Sequence, residues 1–522
     1  MKIRVKRMKS KPKIIFLIII GIVFAFNTGN LEMCWEYRND LDLDNKTLKI
    51  SEISGKIHIA NNWSDAEIAG ICTGSGNYTD PYVIEDLIID ATGSDFGILI
   101  ENSKEYFKIE NCTVYNADSD YFPYGVGIML SNVSNAQLID NNISLNTYGI
   151  GLSDSNNNLI SRNTVNNNTG GIGLLRSSIN TISNNTVNYN DEFGIGLANN
   201  SIKNEIFVNT LFSNYYGITS LYAAYNNFTG NTLNNNYIGM AFNYGSNNTI
   251  TGNTINNNSL LGISILNHNN SNISGNTVIG GDSRGLWMID GYNNRVSGNN
   301  ITNCETGAEI DGNNNLVFGN NINNCYRGLE IRGNNNTIIG NTANYNAIGI
   351  ELQGSDNNMI LGNTANYNGR VGIKLGSSNN NTISGNTANY NEIVGIRLEF
   401  SNNNSILVNT ANNNNWAGIS LFESNNDTVS ENTANYNRIG IMLENSNNNN
   451  ISENRLKGNP DCIIEMFCEG NVFKDNDCIS ELSLNYFPII LIISITIIGV
   501  SVIMIYQNHK KFKRPQEDLE FL

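Results

Sequence analysis

The chain has 522 residues, a formal net charge of −16, 40% hydrophobic residues and only 15% charged ones. A soluble domain usually carries about 25% charged residues, so this chain is too sparsely charged to be a self-repelling coil, and its steady supply of Ile, Leu and Val can build a core. The acidic balance excludes a nucleic-acid binder of the usual basic kind.

Residues 2–13 hold seven basic groups and no acid, and an apolar run of thirteen residues follows at 14–26. A spanning helix needs about 20 residues, so the run suits the apolar stretch of a signal peptide. Ala25-Phe26-Asn27 is a poor cleavage site, and residues 1–26 read as a signal peptide or an uncleaved signal anchor. Residues 27–96 read as an N-terminal cap leading into a repeat. Asp40, Asp42 and Asp44 start like a calcium loop, but Asn45 stands where Gly is needed and Ser51 where the bidentate Glu is needed. That stretch reads as a solvated acidic segment.

Residues 97–465 are repetitive. A Gly-Ile-x-Leu core or a close variant starts at Gly97, Gly127, Gly149 and onward to Gly440, sixteen copies mostly 21 to 23 residues apart. Cys462-Ile463-Ile464-Glu465 is a degraded seventeenth. Most cores are followed by Asn-x-Ile-x-Gly-Asn-Thr, as at 248–254 and 381–387. Apolar and polar residues alternate with no helical period, which predicts short strands separated by Asn- and Gly-rich corners. One such unit cannot bury a core alone, whereas stacked units can. The fold predicted is all-β, a right-handed parallel β-helix of about seventeen coils. Leucine-rich repeats have a similar period but need a Leu-x-x-Leu-x-Leu frame that is missing here. The column Asn141, Asn163, Asn185, Asn209 and onward to Asn454 occupies one repeat position and is predicted to stack as an amide ladder.

Residues 466–487 read as a C-terminal cap, 488–506 as a transmembrane helix of nineteen uncharged residues, and 507–522 as a basic tail. Lys510, Lys511, Lys513 and Arg514 place that tail in the cytoplasm by the positive-inside rule, so residues 27–487 lie outside. All eight cysteines fall in this outer region, where disulfides are permitted. Cys304 and Cys325 each stand three residues before the core Gly of adjacent units, and stacking would bring them within disulfide range; the alternative is a pair of free thiols. Sequons such as Asn62-Trp63-Ser64 and Asn111-Cys112-Thr113 are dense, as in a glycoprotein.

The repeat resembles the NosD-like, or carbohydrate-binding and sugar-hydrolase type, parallel β-helix family with the pectin-lyase fold. The unit Gly349-Ile350-Glu351-Leu352 with Asn358-Met359-Ile360-Leu361-Gly362-Asn363-Thr364 carries both pieces of the pattern. The lead-in from Gly74 to Ile84 looks like that of large archaeal surface β-helix proteins, and the resemblance covers about residues 74–465. It implies the fold. The family includes polysaccharide-acting enzymes, surface proteins and a periplasmic copper-centre maturation protein, and the fold does not choose among them.

No nucleophile elbow, HExxH, Walker A or Rossmann pattern is present. The three histidines, His58, His268 and His509, read as isolated residues, with His58 and His268 on the surface. Clustered Met, His or Cys ligands for copper are missing from the pattern. The outward position of the Gly-Ile-x-Leu core reads Trp287, Glu309, Glu330, Glu351, Lys374 and Arg397 along successive coils, and the next outward position adds Asp311, Arg332, Gln353, Gly376 and Glu399. In a chain this poor in charge, such a column is the candidate ligand-binding face. Its carboxylates could bind Ca²⁺ or act as an acid–base pair, Lys374 could take a proton, its cations could hold an acidic sugar, and Trp287 could stack on a sugar ring. The alternative is a ladder of mutually offsetting charges. The leading expectation is a membrane-anchored cell-surface β-helix with a glycan- or partner-binding, adhesive or structural role. It requires no cofactor, has Ca²⁺ as the one candidate, and takes an extracellular glycan or surface protein as partner. A polysaccharide lyase or glycoside hydrolase acting on the charged face is the alternative, and a NosD-like role in metal-centre assembly a third.

Overall fold

The computed structural model describes residues 53–118, 125–281 and 283–478. The expected signal segment 1–26, the acidic stretch around Asp40, the transmembrane segment 488–506 and the tail 507–522 lie outside the described residues. Among the described residues, no helix is long and apolar enough to cross a membrane.

Each coil contributes three parallel strands. In one coil they are Tyr148–Ser153, Leu159–Ser161 and Thr164–Asn166, and the next coil begins with Gly170–Leu175. Each strand pairs in register with its counterparts one coil before and after. Ile150 lies opposite Ile172, Ile160 opposite Ile182 and Val165 opposite Val187. The register is pinned because a one-residue slip would turn these side chains out of the core.

The first ladder runs through eighteen strands, from Ile57–Ile59 to Asp461–Met466. The second has eighteen, from Tyr82–Glu85 to Val472–Lys474. The third has twelve, from Ile53–Ser54 to Asn321–Asn323, and continues as single bridges from Asn321–Thr342 to Arg455–Asp477. That change coincides with Ala343, Ala365, Ala388, Ala411 and Ala434 taking inward positions held earlier by Val, Leu or Ile. Ala has weaker strand preference and packs less surface. The expected solenoid of about seventeen coils is present, and Ile57–Ile59, within the stretch read as a cap, joins its first ladder.

The core is one continuous column of Ile, Leu and Val, including Ile150, Ile160 and Val165 at 0% exposure. The core Gly is demanded by space. At Gly349 an added Cβ would lie 2.6 Å from the Gly372 carbonyl oxygen and 2.8 Å from Asn368 Nδ2. A six-residue helix, Trp63–Ile68, packs at the N-terminal end, where the Trp63 ring stacks on Tyr82 at 4.8 Å and its Nε1 donates to Ser103 Oγ at 2.8 Å.

The corners are held by stacked amides. The backbone N and Nδ2 of Asn163 both donate to Asn185 Oδ1, at 2.9 and 3.0 Å, and Nδ2 also donates to the Leu138 carbonyl at 2.9 Å. The predicted column is therefore a hydrogen-bonded ladder. Two further columns repeat the arrangement, through Asn146, Asn168 and Asn190 and through Asn158, Asn180 and Asn204. Buried polar groups cost little only when their partners are supplied, and the repeat supplies each amide with a copy of itself.

Candidate functional site

The register places Trp287 opposite Glu309, Glu309 opposite Glu330, Glu330 opposite Glu351, Glu351 opposite Lys374, and Lys374 opposite Arg397. The sequence-derived column is thus real. It differs from expectation in burial: Glu309, Glu330 and Glu351 are 3%, 2% and 5% exposed. They point away from the apolar core, yet arginine and lysine side chains from neighbouring positions cover them.

The cover forms an alternating chain of charge. Arg284 pairs with Glu309 and lies with its guanidinium 5.0 Å from the Trp287 ring centre. Arg332 bridges Glu309 at 3.2 Å and Glu330 at 2.7 Å. Arg327 Nε donates to Glu351 at 3.0 Å and lies 3.9 Å from Glu330. Lys374 Nζ lies 3.2 Å from both Glu351 and Glu399, and Arg397 closes the chain on Glu399 at 2.6 Å. Asp311 flanks this network. Burial, reinforced by the charge of Asp290, raises its pKa above the usual carboxylate range. Gln353 lies across the space that a Cβ at Gly376 would fill.

This geometry restricts the chemistry. A Ca²⁺ site needs six to eight oxygen ligands, whereas each of the three buried carboxylates is already engaged by a cation. Lys374 sits as a counter-ion to two carboxylates. Two buried donors of the face, Trp287 Nε1 and Arg397 Nε, have no protein partner.

His268 corrects the sequence reading. It is fully buried rather than on the surface, because it replaces a corner residue of the amide and hydroxyl ladder. Its Nε2 accepts from Asn248 Nδ2 at 2.8 Å and its Nδ1 lies 3.0 Å from Ser271 Oγ. Burial lowers its pKa to about 4, so the ring is neutral at ordinary pH. His58 is exposed and lies 3.0 Å from Glu101. Cys304 and Cys325 are buried free thiols in adjacent coils. A thiol–thiol hydrogen bond and burial hold the Cys304 thiol well above its ordinary pKa.

Two features escaped the sequence reading. Asp427 interrupts a buried Asn column, between Asn404 and Asn449. A row of exposed tyrosines occupies one corner of the later coils. Aligning the coils position by position exposes both, Asp427 as a single departure and the tyrosines as a recurrent one.

Three parallel ladders around one aliphatic column define a parallel β-helix, and residues 68–233 match the right-handed β-helix region. The chain belongs to the NosD-like right-handed β-helix family, since residues 210–328 and 327–477 match the family described as periplasmic copper-binding protein (NosD). No curated protein matches the chain. Similar solved structures include the periplasmic alginate epimerase AlgG, at 13% identity over 80% of this chain and 84% of that one, with a TM-score of 0.23. Another is the tailspike protein of E. coli bacteriophage HK620 in complex with pentasaccharide, at 12% identity over 70% and 73%, with a TM-score of 0.36. A third is the A-module of the mannuronan C-5 epimerase AlgE6 of Azotobacter vinelandii, at 12% identity over 80% and 94%, with a TM-score of 0.22.

The donors present do not fit the copper of the family description. Among the described residues, no three His, Cys, Asp or Glu side chains converge as metal ligands. Both ring nitrogens of His268 are committed to corner hydrogen bonds.

Proposed function

We propose that the chain is an extracytoplasmic, membrane-anchored β-helix that binds glycans without cleaving them. The observation that carries this reading is the charged face: its three buried carboxylates are each paired with Arg or Lys, which leaves none of the three free as a general acid or base. The periplasmic description of the family supports an extracytoplasmic β-helix. The apolar run 488–506 with its basic flank supports a C-terminal anchor. Deleting 488–522 should move the protein from the membrane pellet to the soluble fraction after alkaline extraction, and retention in the pellet of a variant whose segment 1–26 has been removed by cleavage would refute the anchor.

A lyase or hydrolase using Trp287, Glu309, Asp311, Glu330, Arg332, Glu351, Lys374, Arg397 and Glu399 is the second reading. The unpartnered Trp287 Nε1 and Arg397 Nε favour it. Incubating the full-length chain with a polysaccharide panel, with and without Ca²⁺, separates the two. Binding without new chain ends is expected. New ends that disappear in the Glu309→Gln/Glu330→Gln/Glu351→Gln variant would overturn the non-catalytic reading.

A further inference from the structure

The corner between the third and first ladders carries a repeated Asn-Tyr-Asn. Tyr345, Tyr367, Tyr390 and Tyr436 occupy its centre with φ of 57–58° and are 48–67% exposed. The first three form a continuous stack: Tyr345 and Tyr367 are 5.4 Å apart with planes at 9°, and Tyr367 and Tyr390 are 5.1 Å apart at 5°. In the next coil the same position, with the same backbone twist, is Asn413 (φ 56°). Tyr436 follows one coil later. One ring is therefore missing from the column, and an open hollow of about 600 Å³ lies there, lined by Tyr390, Asn413, Asn415, Tyr436, Arg438 and Pro460.

The walls of the hollow are chemically defined. Tyr390 presents a ring face that no protein ring covers, since its stacking partner Tyr367 lies on the other side. Tyr436 is braced from beyond by Gly458, where an added Cβ would lie 2.6 Å from its ring. Beside the rings runs a second row of amides. The backbone N of Asn412 donates to Asn389 Oδ1 at 2.6 Å, and that of Asn435 to Asn412 Oδ1 at 2.7 Å. These bonds hold the corner in line, while the amides lining the hollow are Asn414 and Asn437, already bonded along their column, and Asn413 and Asn415. Arg438 lies over Trp416 at 4.7 Å and has no ion-pair partner among the described residues.

We propose that the gap at Asn413 is a pyranose-binding slot, with one sugar ring held between Tyr390 and Tyr436 and an acidic substituent against Arg438. This rests on the glycan-binding reading above and names its site. Two coil steps separate the flanking tyrosines by about 9.6 Å, which leaves about 4.8 Å on each side of an inserted ring. A ring inserted there sits at the same one-coil spacing at which the neighbouring tyrosines already stack, 5.1–5.4 Å between ring centres. A puckered pyranose with axial C–H groups on both faces fills the space. The side-chain amides of Asn413 and Asn415, which line the hollow, meet its ring and hydroxyl oxygens, and the guanidinium of Arg438 meets a carboxylate.

The test uses the full-length chain and oligosaccharides of hexuronic acid, hexose and N-acetylhexosamine, with binding read by calorimetry and by saturation-transfer NMR. Asn413→Tyr fills the slot with the residue that the aligned corners already accept, so folding is preserved and checked by the unfolding midpoint. Hexuronic acid oligosaccharides should bind best, and Asn413→Tyr should weaken binding about tenfold or more. Tyr436→Ala should weaken binding similarly, and Arg438→Gln should remove the preference for the acidic sugar. Equal binding by wild type and Asn413→Tyr would overturn the slot and leave glycan binding standing elsewhere on the chain. No binding of any probe by the wild type would overturn both.

Discussion

Asp427→Asn should stabilise the coil that carries it, and only above mildly acidic pH. Asp427 is 1% exposed and stands in a column of buried amides. Asn404 donates to its Oδ1 from backbone N at 2.6 Å and from Nδ2 at 3.1 Å, but Oδ2 is buried without a partner. In the same column, Asn381 and Asn449 use Nδ2 to donate to the carbonyls of Ser355 and Ser424, at 3.0 and 3.1 Å. A carboxylate cannot make that bond, whereas a protonated carboxyl can. Burial accordingly pushes the Asp427 pKa from 3.8 up to about 7. Between these values the folded chain holds a proton that the unfolded chain has released. Stability is thus intact below about pH 4, falls as pH rises toward 7, and levels off above. The full loss is about 4 kcal/mol. Asparagine restores the donor and removes the charge. At pH 8.5 the variant should gain a large part of that figure, and near pH 4 it should match the wild type. Coils of a solenoid can open locally, so denaturant unfolding should be paired with hydrogen exchange at the Asn404 and Asp427 amides. An unchanged stability at pH 8.5, or an equal gain at both pH values, would refute the reasoning.

Glu309→Gln/Glu330→Gln/Glu351→Gln should lower the unfolding midpoint, because breaking one side of a buried ion pair costs about 3–5 kcal/mol. The partly exposed cations place the effect at the lower end, and unchanged stability would count against a structural role. Gly372→Ala puts a Cβ 2.7 Å from the Gly395 carbonyl and 2.8 Å from that of Ala365, so it should cost about 1–3 kcal/mol, measured by denaturant titration. Oxidation should join Cys304 to Cys325, seen by mass spectrometry as a linked peptide pair. Closing a loop of this size should raise stability by about 3 kcal/mol, and two thiols that stay alkylatable after oxidation would refute the pairing.

The architecture was legible because a solenoid is nearly one-dimensional: period and alternation fix the strands, and stacking fixes the register. That logic put Glu309, Glu330 and Glu351 in one column correctly. It failed on their burial, since Arg332 and Lys374 of the outward columns supply only part of the cover and the rest comes from Arg284 and Arg327, which precede the core Gly and belong to a different column. Burial of His268 escaped for a similar reason: its corner role depends on Asn248 and Ser271, contributed by different turns. The sequence showed one buried amide column where the corners hold three, because only the Gly-Asn-Thr position stands out amid so much asparagine. The tyrosine column was hidden by its spacing in the linear sequence, and its gap at Asn413 has meaning only once Tyr390 and Tyr436 are known to lie two coils apart.

A uniform repeat makes a uniform surface, so recognition has to enter where a coil departs from its neighbours. Two departures share a short stretch of chain: Asn413 opens the tyrosine column, and Asp427 replaces a buried amide in the strand-turn that follows. The ion network instead lies on the outer side of the first ladder, from Arg284 to Glu399. Its charges compensate one another internally, whereas the slot offers ring faces, the Asn413 and Asn415 amides and a guanidinium that has no carboxylate partner among the described residues. Uncompensated groups at a surface are where a ligand gains most over water, because none of its contacts must first displace a protein partner. The weakly charged corner at Asn413 is therefore a better recognition site than the more conspicuous charged band.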